Sequence, residues 1–287
     1  MRIWYQSMAP IGQLGRYAEA LARHAALACS PGIEVSFHGA TAPAYATRTP
    51  QELLRYPYAK HVLGEEAIGH ALQAEREGHD AFVLGSFSEP FLPEIRSLLE
   101  IPVVSMPEAA LLLACSLAER FALVALGATT AVRLRRLVAR HGVESRVSGI
   151  HPFPRQTDES ELEAAFDNPA PLIATFTEAA ERAVANGADV VIPAEGVLNE
   201  VLVANGVRRV DGATVMDCVG AALLQAEMMV AVRKRLGLGV GRRWSYATPP
   251  PEILADLRSG RANRAEGGSR TDGGPRTTVR GPPSPHS

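Results

Sequence analysis

The chain reads as an α/β protein built from two similar parallel-sheet halves, related by a pseudo-two-fold duplication and separated by a cleft. Three observations predict this. Residues 78–86 (Gly-His-Asp-Ala-Phe-Val-Leu-Gly-Ser) and 187–195 (Gly-Ala-Asp-Val-Val-Ile-Pro-Ala-Glu) carry the same phrase. Each has a glycine that stops a helix, a turn aspartate, a buried apolar strand, and a small or polar residue at the strand's carboxyl end. The sequence that follows repeats as well: Val103-Val104 then Glu108-Ala109-Ala110-Leu111-Leu112, against Thr214-Val215 then Gly220-Ala221-Ala222-Leu223-Leu224. Finally, short apolar strands alternate with Ala- and Leu-rich helical segments, the pattern of a parallel sheet with helices on both faces. A repeated unit implies two half-domains. In open α/β sheets the chemistry lies beyond the carboxyl ends of the strands. Ser86 and Glu195 hold equivalent positions there, so they are expected to face each other across the cleft.

The elements follow in order. Residues 2–6 form a strand. Gly12 to Cys29 is helical and stops at Ser30-Pro31-Gly32, and Ile33–His38 is a second strand. Residues 40–60, with Pro43, Pro50 and Pro57, read as loop. Glu65–Glu77 is a helix, Ala81–Leu84 an apolar strand, Pro90–Glu100 a short helix, Val103–Ser105 a strand and Glu108–Glu119 a helix. The second half runs through strand Phe121–Leu126, helix Thr130–His141, strand Arg146–Ile150, a loop with a short acidic helix over 151–170, and helix Pro171–Asn186. Strand Val190–Pro193, a helical turn Asn199–Asn205, strand Ala213–Met216 and helix Cys218–Leu236 complete it. The expected domains are 1–105 and 106–217, with helix 218–237 packing back on the first half. Residues 245–287 turn to Gly, Pro, Arg and Ser, too poor in apolar side chains to offset the entropy of ordering, and are expected to be a disordered tail. The tail's arginines suit a solvated segment better than an anion-binding one.

Composition narrows the function classes. An apolar fraction of 46% is ample for a core. A net charge of −2 offers no broad attraction to nucleic acid or anionic membrane. The three cysteines, Cys29, Cys115 and Cys218, have no paired spacing, which argues against a disulfide framework and for a reducing, cytoplasmic setting. No signal peptide, apolar span, metal-ligand spacing or glycine-rich nucleotide loop is present, so no membrane, metal or cofactor is expected.

The strand ends supply the candidate chemistry. Glu195 follows apolar Val190-Val191-Ile192 and precedes Gly196 and Val197. A carboxylate beside apolar walls is disfavoured in its charged form, which suits general acid–base work. Its alternative role is to cap the next helix. Ser86 precedes Phe87 and Ser88, whose amides, with its hydroxyl, suit a substrate carboxylate. Its alternative role is a cap for the Ser88–Pro90 turn. Gln6 and Ser7 lie on the same rim after the first strand. Thr129 and Thr130 lie after the strand that opens the second half, where one of them is expected to cap the helix and leave amides for a carboxylate. Cys218 starts a helix, a position that lowers a thiol's pKa, but small buried filler is its alternative.

Taken together, three stretches resemble the aspartate/glutamate/hydantoin racemase superfamily, its hydantoin racemase branch above all. They are Ala81–Leu92, Pro102–Ala110 (Pro-Val-Val-Ser-Met-Pro-Glu-Ala-Ala) and Gly187–Gly196. The likeness runs from residue 1 to about residue 240. It implies a duplicated α/β fold, no cofactor, a homodimer or higher homo-oligomer, and two opposed cysteines that move a proton beside a carboxylate or carbonyl. In this sequence Ser86 stands at the first cysteine position and Glu195 at the second, so the two-thiol mechanism is not available there. Gln6-Ser7-Met8 also replaces the family's Asn-rich substrate loop. Three functions stay open. One is a cofactor-independent racemase or isomerase of a small acid, with Glu195 as base and Glu195 or Cys218 returning the proton. Another is a lyase or decarboxylase using the same site, and the third is a non-catalytic binding protein on a racemase scaffold.

Overall fold

The computed structural model describes residues 1–41 and 43–257. The first half contains β1 (Arg2–Gln6), α1 (Gly15–Ala28), β2 (Glu34–His38), α2 (Pro50–Leu54), α3 (Pro57–Arg76), β3 (Ala81–Leu84), α4 (Leu92–Leu98), β4 (Val103–Ser105) and α5 (Met106–Leu117). The second contains β5 (Phe121–Ala125), α6 (Ala128–Arg140), β6 (Val147–Pro152), α7 (Glu159–Ala164), α8 (Ala170–Ala185), β7 (Val190–Pro193), α9 (Gly196–Ala204), β8 (Arg209–Val210), β9 (Ala213–Val215) and α10 (Cys218–Leu236). Two sheets result, ordered β2-β1-β3-β4 and β6-β5-β7-β9-β8. Every pairing is parallel except β8 with β9, a short antiparallel edge that the strand pattern did not predict.

Strand pleat sorts the first sheet's side chains into two cores. Ile3, Tyr5, Ala81 and Val83 face the large core that continues into the second half. Their neighbours Trp4, Phe82 and Leu84 face a smaller core under α3 and α4. Successive strand residues point to opposite faces, so apolar residues at every position mean that both faces are covered, as parallel sheets require. Helix α1 presents Tyr17, Ala20, Leu21, His24 and Ala25 inward, at the i, i+3, i+4, i+7, i+8 spacing of one buried stripe. Helix α9 is buried along Gly196–Leu202.

The repeat is visible in the packing. Helices α5 and α10 follow equivalent strands and pack against each other. Each also crosses over: α5 touches β7 of the second sheet, and α10 lies on β3 and β4 of the first. Beyond α10, Arg242 reaches back to the carbonyls of Arg96 and Leu99 at the end of α4.

Two segments differ from the sequence expectation. Residues 40–60 are largely helical rather than loop. Their prolines sit at the first helical position, where the missing N–H costs nothing: Pro50 opens α2 behind a Thr49–Glu52 capping box, and Pro57 opens α3. In the region assigned to the tail, residues 251–257 form a short helix, and residues 258–287 lie outside the described residues.

Candidate active site

Residues from both halves line one cavity at the strand ends. The loop after β1 contributes Ser7, Met8 and Ala9, and the loop after β3 contributes Gly85 to Ser88. Thr130, Arg133 and Leu134 come from α6, Ala194 to Val197 from the end of β7, and Tyr17 from α1. Pro50 and Leu54 of α2 close one side. Its volume of about 60 Å³ holds a few water-sized groups. Of the residues that line it, Glu195 is the one carboxylate and Arg133 the one cation, and no cysteine is among them.

Glu195 does two things. Its Oε2 accepts the Leu198 amide at 2.6 Å, which caps α9, and its side chain also borders the cavity. The capping role and the cavity position therefore coexist in one residue. Ser86 is held by its own turn. Its Oγ accepts the Ser88 amide at 3.2 Å and pairs with the Ser88 hydroxyl at 2.9 Å. Helix α4 starts only at Leu92, so Ser86 shapes the turn and does not cap that helix.

The other sequence candidates divide. Ser7, Phe87, Ser88, Thr130, Gly196 and Val197 line the cavity. Gln6, Thr129 and Cys218 do not. Gln6 is buried and fully engaged: its Oε1 accepts from Trp4 Nε1 at 3.1 Å and pairs with His70 Nδ1 at 2.8 Å, and its Nε2 donates to the Ser7 carbonyl. Thr129 points to solvent. Neither threonine caps α6, because Gly127 is the N-cap and makes no side-chain bond. A side chain at Gly127 would strike Gln156, whose Nε2 donates to Thr130 Oγ1 at 3.2 Å, so the start of α6 is fixed by that close approach. Cys218 is wholly buried, with its Sγ directed at the Pro193 carbonyl. Burial, then the charges of Asp217, Glu195 and Glu200, push its thiol well above the usual cysteine range. The burial that the apolar sequence around it creates outweighs any lowering by the helix N-terminus. Cys218 therefore packs between α10 and β7 and is not among the residues that line the cavity.

Residues beyond the sequence candidates complete the site. Arg133 lies one turn past Thr130 and donates to its Oγ1 at 3.3 Å. Tyr17 and Tyr5 lie beneath the two strand ends. A Cβ on Gly196 would come within 2.9 Å of Tyr17 Oη, and one on Gly85 within 2.5 Å of Tyr5 Oη. Spacing offered one signal for Tyr17, its place on the buried stripe of α1; nothing in the sequence shows that the stripe runs under the rim.

Two ion networks hold the frame. Behind α9, buried His24 bridges Glu200 and Asp217, both at 2.8 Å, while Asn199 Nδ2 reaches the same two carboxylates at 3.2 Å. Burial would lower the His24 pKa, but its bonds to Asp217 and Glu200 raise it to about 10. Between the halves, Glu89 is buried and takes up Ser105, Arg140 and His141. Burial raises its pKa, yet the bonds from His141 and Ser105 prevail and hold it below the ordinary value. Among the described residues no cluster of His, Cys, Asp and Glu has the form of a metal site, and no helix is long and apolar enough to cross a membrane.

Comparison with known proteins decides the family. The model of the Asp/Glu/Hydantoin racemase family matches residues 16–226. The chain belongs to that family. A hydantoin racemase from Paenarthrobacter aurescens is 29% identical over 179 residues, 62% of this chain and 71% of that one. A hydantoin racemase from Pseudomonas sp. (strain NS671) is 35% identical over 82 residues, which span 29% of this chain and only 33% of that protein. An allantoin racemase from Klebsiella pneumoniae superposes with a TM-score of 0.72 at 22% identity, covering 87% of this chain and 94% of the other. A more distant similarity of fold is to an arylmalonate decarboxylase variant, with a TM-score of 0.51 at 16% identity, over 80% of this chain and 92% of the other. The racemase-family assignment and the two-sheet α/β fold agree with the expectation from sequence.

Proposed function

We propose that this racemase-family chain is a cofactor-independent isomerase that moves a proton at a carbon next to the carboxylate or carbonyl of a small acid, with Glu195 as the base. The observation that carries this is the pairing of one carboxylate with one guanidinium in one cavity at the strand ends. Arg133 supplies the charge to hold the substrate's carboxylate, aided by the amides at the start of α6. Ser86 and Ser88 offer hydroxyls on the opposite rim. The proton leaves the carbon for Glu195 and returns from the resulting carboxylic acid; with one base, inversion follows when the planar intermediate turns its other face to Glu195 before the proton returns. Hydantoin racemases among the relatives make cyclic carbonyl substrates part of the class to be tested.

A decarboxylase or lyase is the second reading. The same cavity has a single carboxylate and apolar walls in Met8, Leu54, Leu134 and Val197. A departing carboxylate needs one proton donor afterwards and a poorly solvated seat before.

Incubation in D₂O with aspartate, glutamate, allantoin, 5-benzylhydantoin and phenylmalonate separates these readings. Deuterium entry without loss of substrate supports the isomerase, CO₂ release supports the decarboxylase, and binding with neither supports a non-catalytic protein. Glu195→Gln keeps the shape and removes the base. General acid–base catalysis contributes roughly 10²–10⁴-fold, so exchange should fall by about that factor with binding largely kept. Full exchange in this variant would remove Glu195 from the mechanism.

A further inference from the structure

The proton transfer proposed above leaves negative charge on a substrate oxygen, and Glu195, neutral once it holds the proton, carries no charge to balance it. Tyr17 is the phenol that lines the cavity, and its hydroxyl lies beside Gly196, the residue after Glu195. The position is fixed from several sides. Glu163 of α7 accepts the Arg16 and Tyr17 amides at 2.7 and 3.1 Å, which ties down the first turn of α1. Two turns on, His24 locks the same helix to α9 and to the cap of α10. Gly196 has no side chain to hold the phenol away.

Tyr5 stands behind it. Its ring fills the space under Gly85, packed against Phe37 at 5.3 Å between centroids. Its hydroxyl interacts with that of Tyr17 and donates to Met106 Sδ at 3.8 Å. Tyr17 is the donor in the contact between the two phenols. Because a thioether is a weak acceptor, a substrate oxygen in the cavity can draw the Tyr17 hydrogen away while Tyr5 swings its own O–H from Met106 onto the Tyr17 oxygen. The Tyr17 hydrogen is then directed into the cavity. Two phenols thus run under the floor of the cleft from one strand end to the other.

We infer that Tyr17, backed by Tyr5, is the neutral hydrogen-bond donor that meets the enolate oxygen formed when Glu195 takes the substrate's proton. This rests on the isomerase reading above. In the step, the C–H bonding pair becomes the new C=C bond and the carbonyl π pair moves to oxygen. The proton resides on Glu195, and the Tyr17 proton stays on Tyr17 throughout. Reversal of the same electron flow returns the proton to carbon. Ionisation of either phenol is opposed by burial and by the nearby carboxylates Glu195 and Glu200, so Tyr17 keeps its proton and is suited to donation in both directions. A donor held in place before the charge develops is the arrangement in which one hydrogen bond has most effect.

Tyr17→Phe and Tyr5→Phe are compared with wild type for α-deuterium exchange, using the fastest member of the five-compound panel, with thermal melts to verify folding. Tyr17→Phe is expected to lower kcat by roughly 10²–10³, the loss typical of one oxyanion donor, with KM changed far less. Tyr5→Phe keeps the Tyr17 hydroxyl and is expected to lower kcat by roughly fivefold, the worth of one neutral hydrogen bond. An unchanged kcat in folded Tyr17→Phe, or a change confined to KM, overturns the assignment of Tyr17 while leaving the isomerase reading intact. A larger loss in Tyr5→Phe than in Tyr17→Phe also overturns it. Absence of exchange in wild type with every compound refutes the isomerase reading, and this inference falls with it.

Discussion

The imidazole of His24 offers a direct test of the charge balance behind the cavity. The ring is 7% exposed, and each nitrogen has a carboxylate oxygen at 2.8 Å. A neutral imidazole has a single N–H and satisfies only one such acceptor; the protonated ring satisfies both. Its pKa in the fold is accordingly raised from 6.5 to about 10, against the opposing effect of burial. A group whose folded pKa is raised contributes stability that is complete below its unfolded pKa and is lost as pH rises through its folded pKa. The window here runs from pH 6.5 to about 10. At about 1.36 kcal/mol per unit, that span corresponds to about 5 kcal/mol. The figure agrees with the roughly 3–5 kcal/mol lost when one partner of a buried ion pair is removed. Urea denaturation of wild type and His24→Asn from about pH 7 to pH 10.5 reads the difference directly, because groups common to both proteins cancel. Wild type should begin several kcal/mol more stable, and the gap should close by about 1.4 kcal/mol per pH unit, because the fold holds a proton on His24 that the unfolded chain has already lost. A gap that stays constant across the range would mean that His24 is neutral in the fold and that the charge argument is wrong.

Other perturbations probe the frame and the ligand contacts. Glu89→Gln should cost about 3–5 kcal/mol at pH 7 by leaving Arg140 and His141 without their buried carboxylate. Because the Glu89 pKa is lowered in the fold, its contribution is present above the ordinary glutamate value and is lost as pH falls below it, so the two proteins should converge in acid urea melts. Arg133→Met should weaken binding of the active panel compound roughly tenfold or more by calorimetry, since a hydrogen bond to a charged group is worth about 1.5–3 kcal/mol. Gly85→Ala should lower stability by about 1–3 kcal/mol, because the new methyl meets the Tyr5 ring in a filled core. Melting temperature reports this last effect.

The fold was legible because repetition and burial leave marks in sequence. The phrase at residues 78–86 and 187–195 located both central strands and both rim positions, and α10 was bounded by Asp217 and Gly237 as helix signals would have it. Prolines misled at residues 50 and 57, where the same residue that breaks a helix also starts one. The site was legible only where it follows a strand directly. Ser86 and Glu195 could be found that way, whereas Tyr17 and Arg133 reach the cavity from helix faces. Their approach depends on how α1 and α6 lie across the sheets, which no local spacing encodes. Gln6 and Cys218 stay out of the cavity lining for a different reason. Each lies at a strand end or helix start, but its side chain is taken up by neighbours distant in sequence, Trp4 apart: His70 for Gln6 and the Pro193 carbonyl for Cys218.

Helix α10 has a consequence for biosynthesis. It is the last long helix among the described residues, yet it covers β3 and β4, which are among the first strands made. Until it emerges from the ribosome, the inner face of the first sheet, with Val83 and Val104, lacks part of its cover. At roughly 5–20 residues per second, the wait from Ser105 to Leu236 lasts on the order of ten seconds. Through that interval the nascent chain must either hold a partly open sheet or be shielded by a chaperone. Independent expression of the first half would make that exposure permanent.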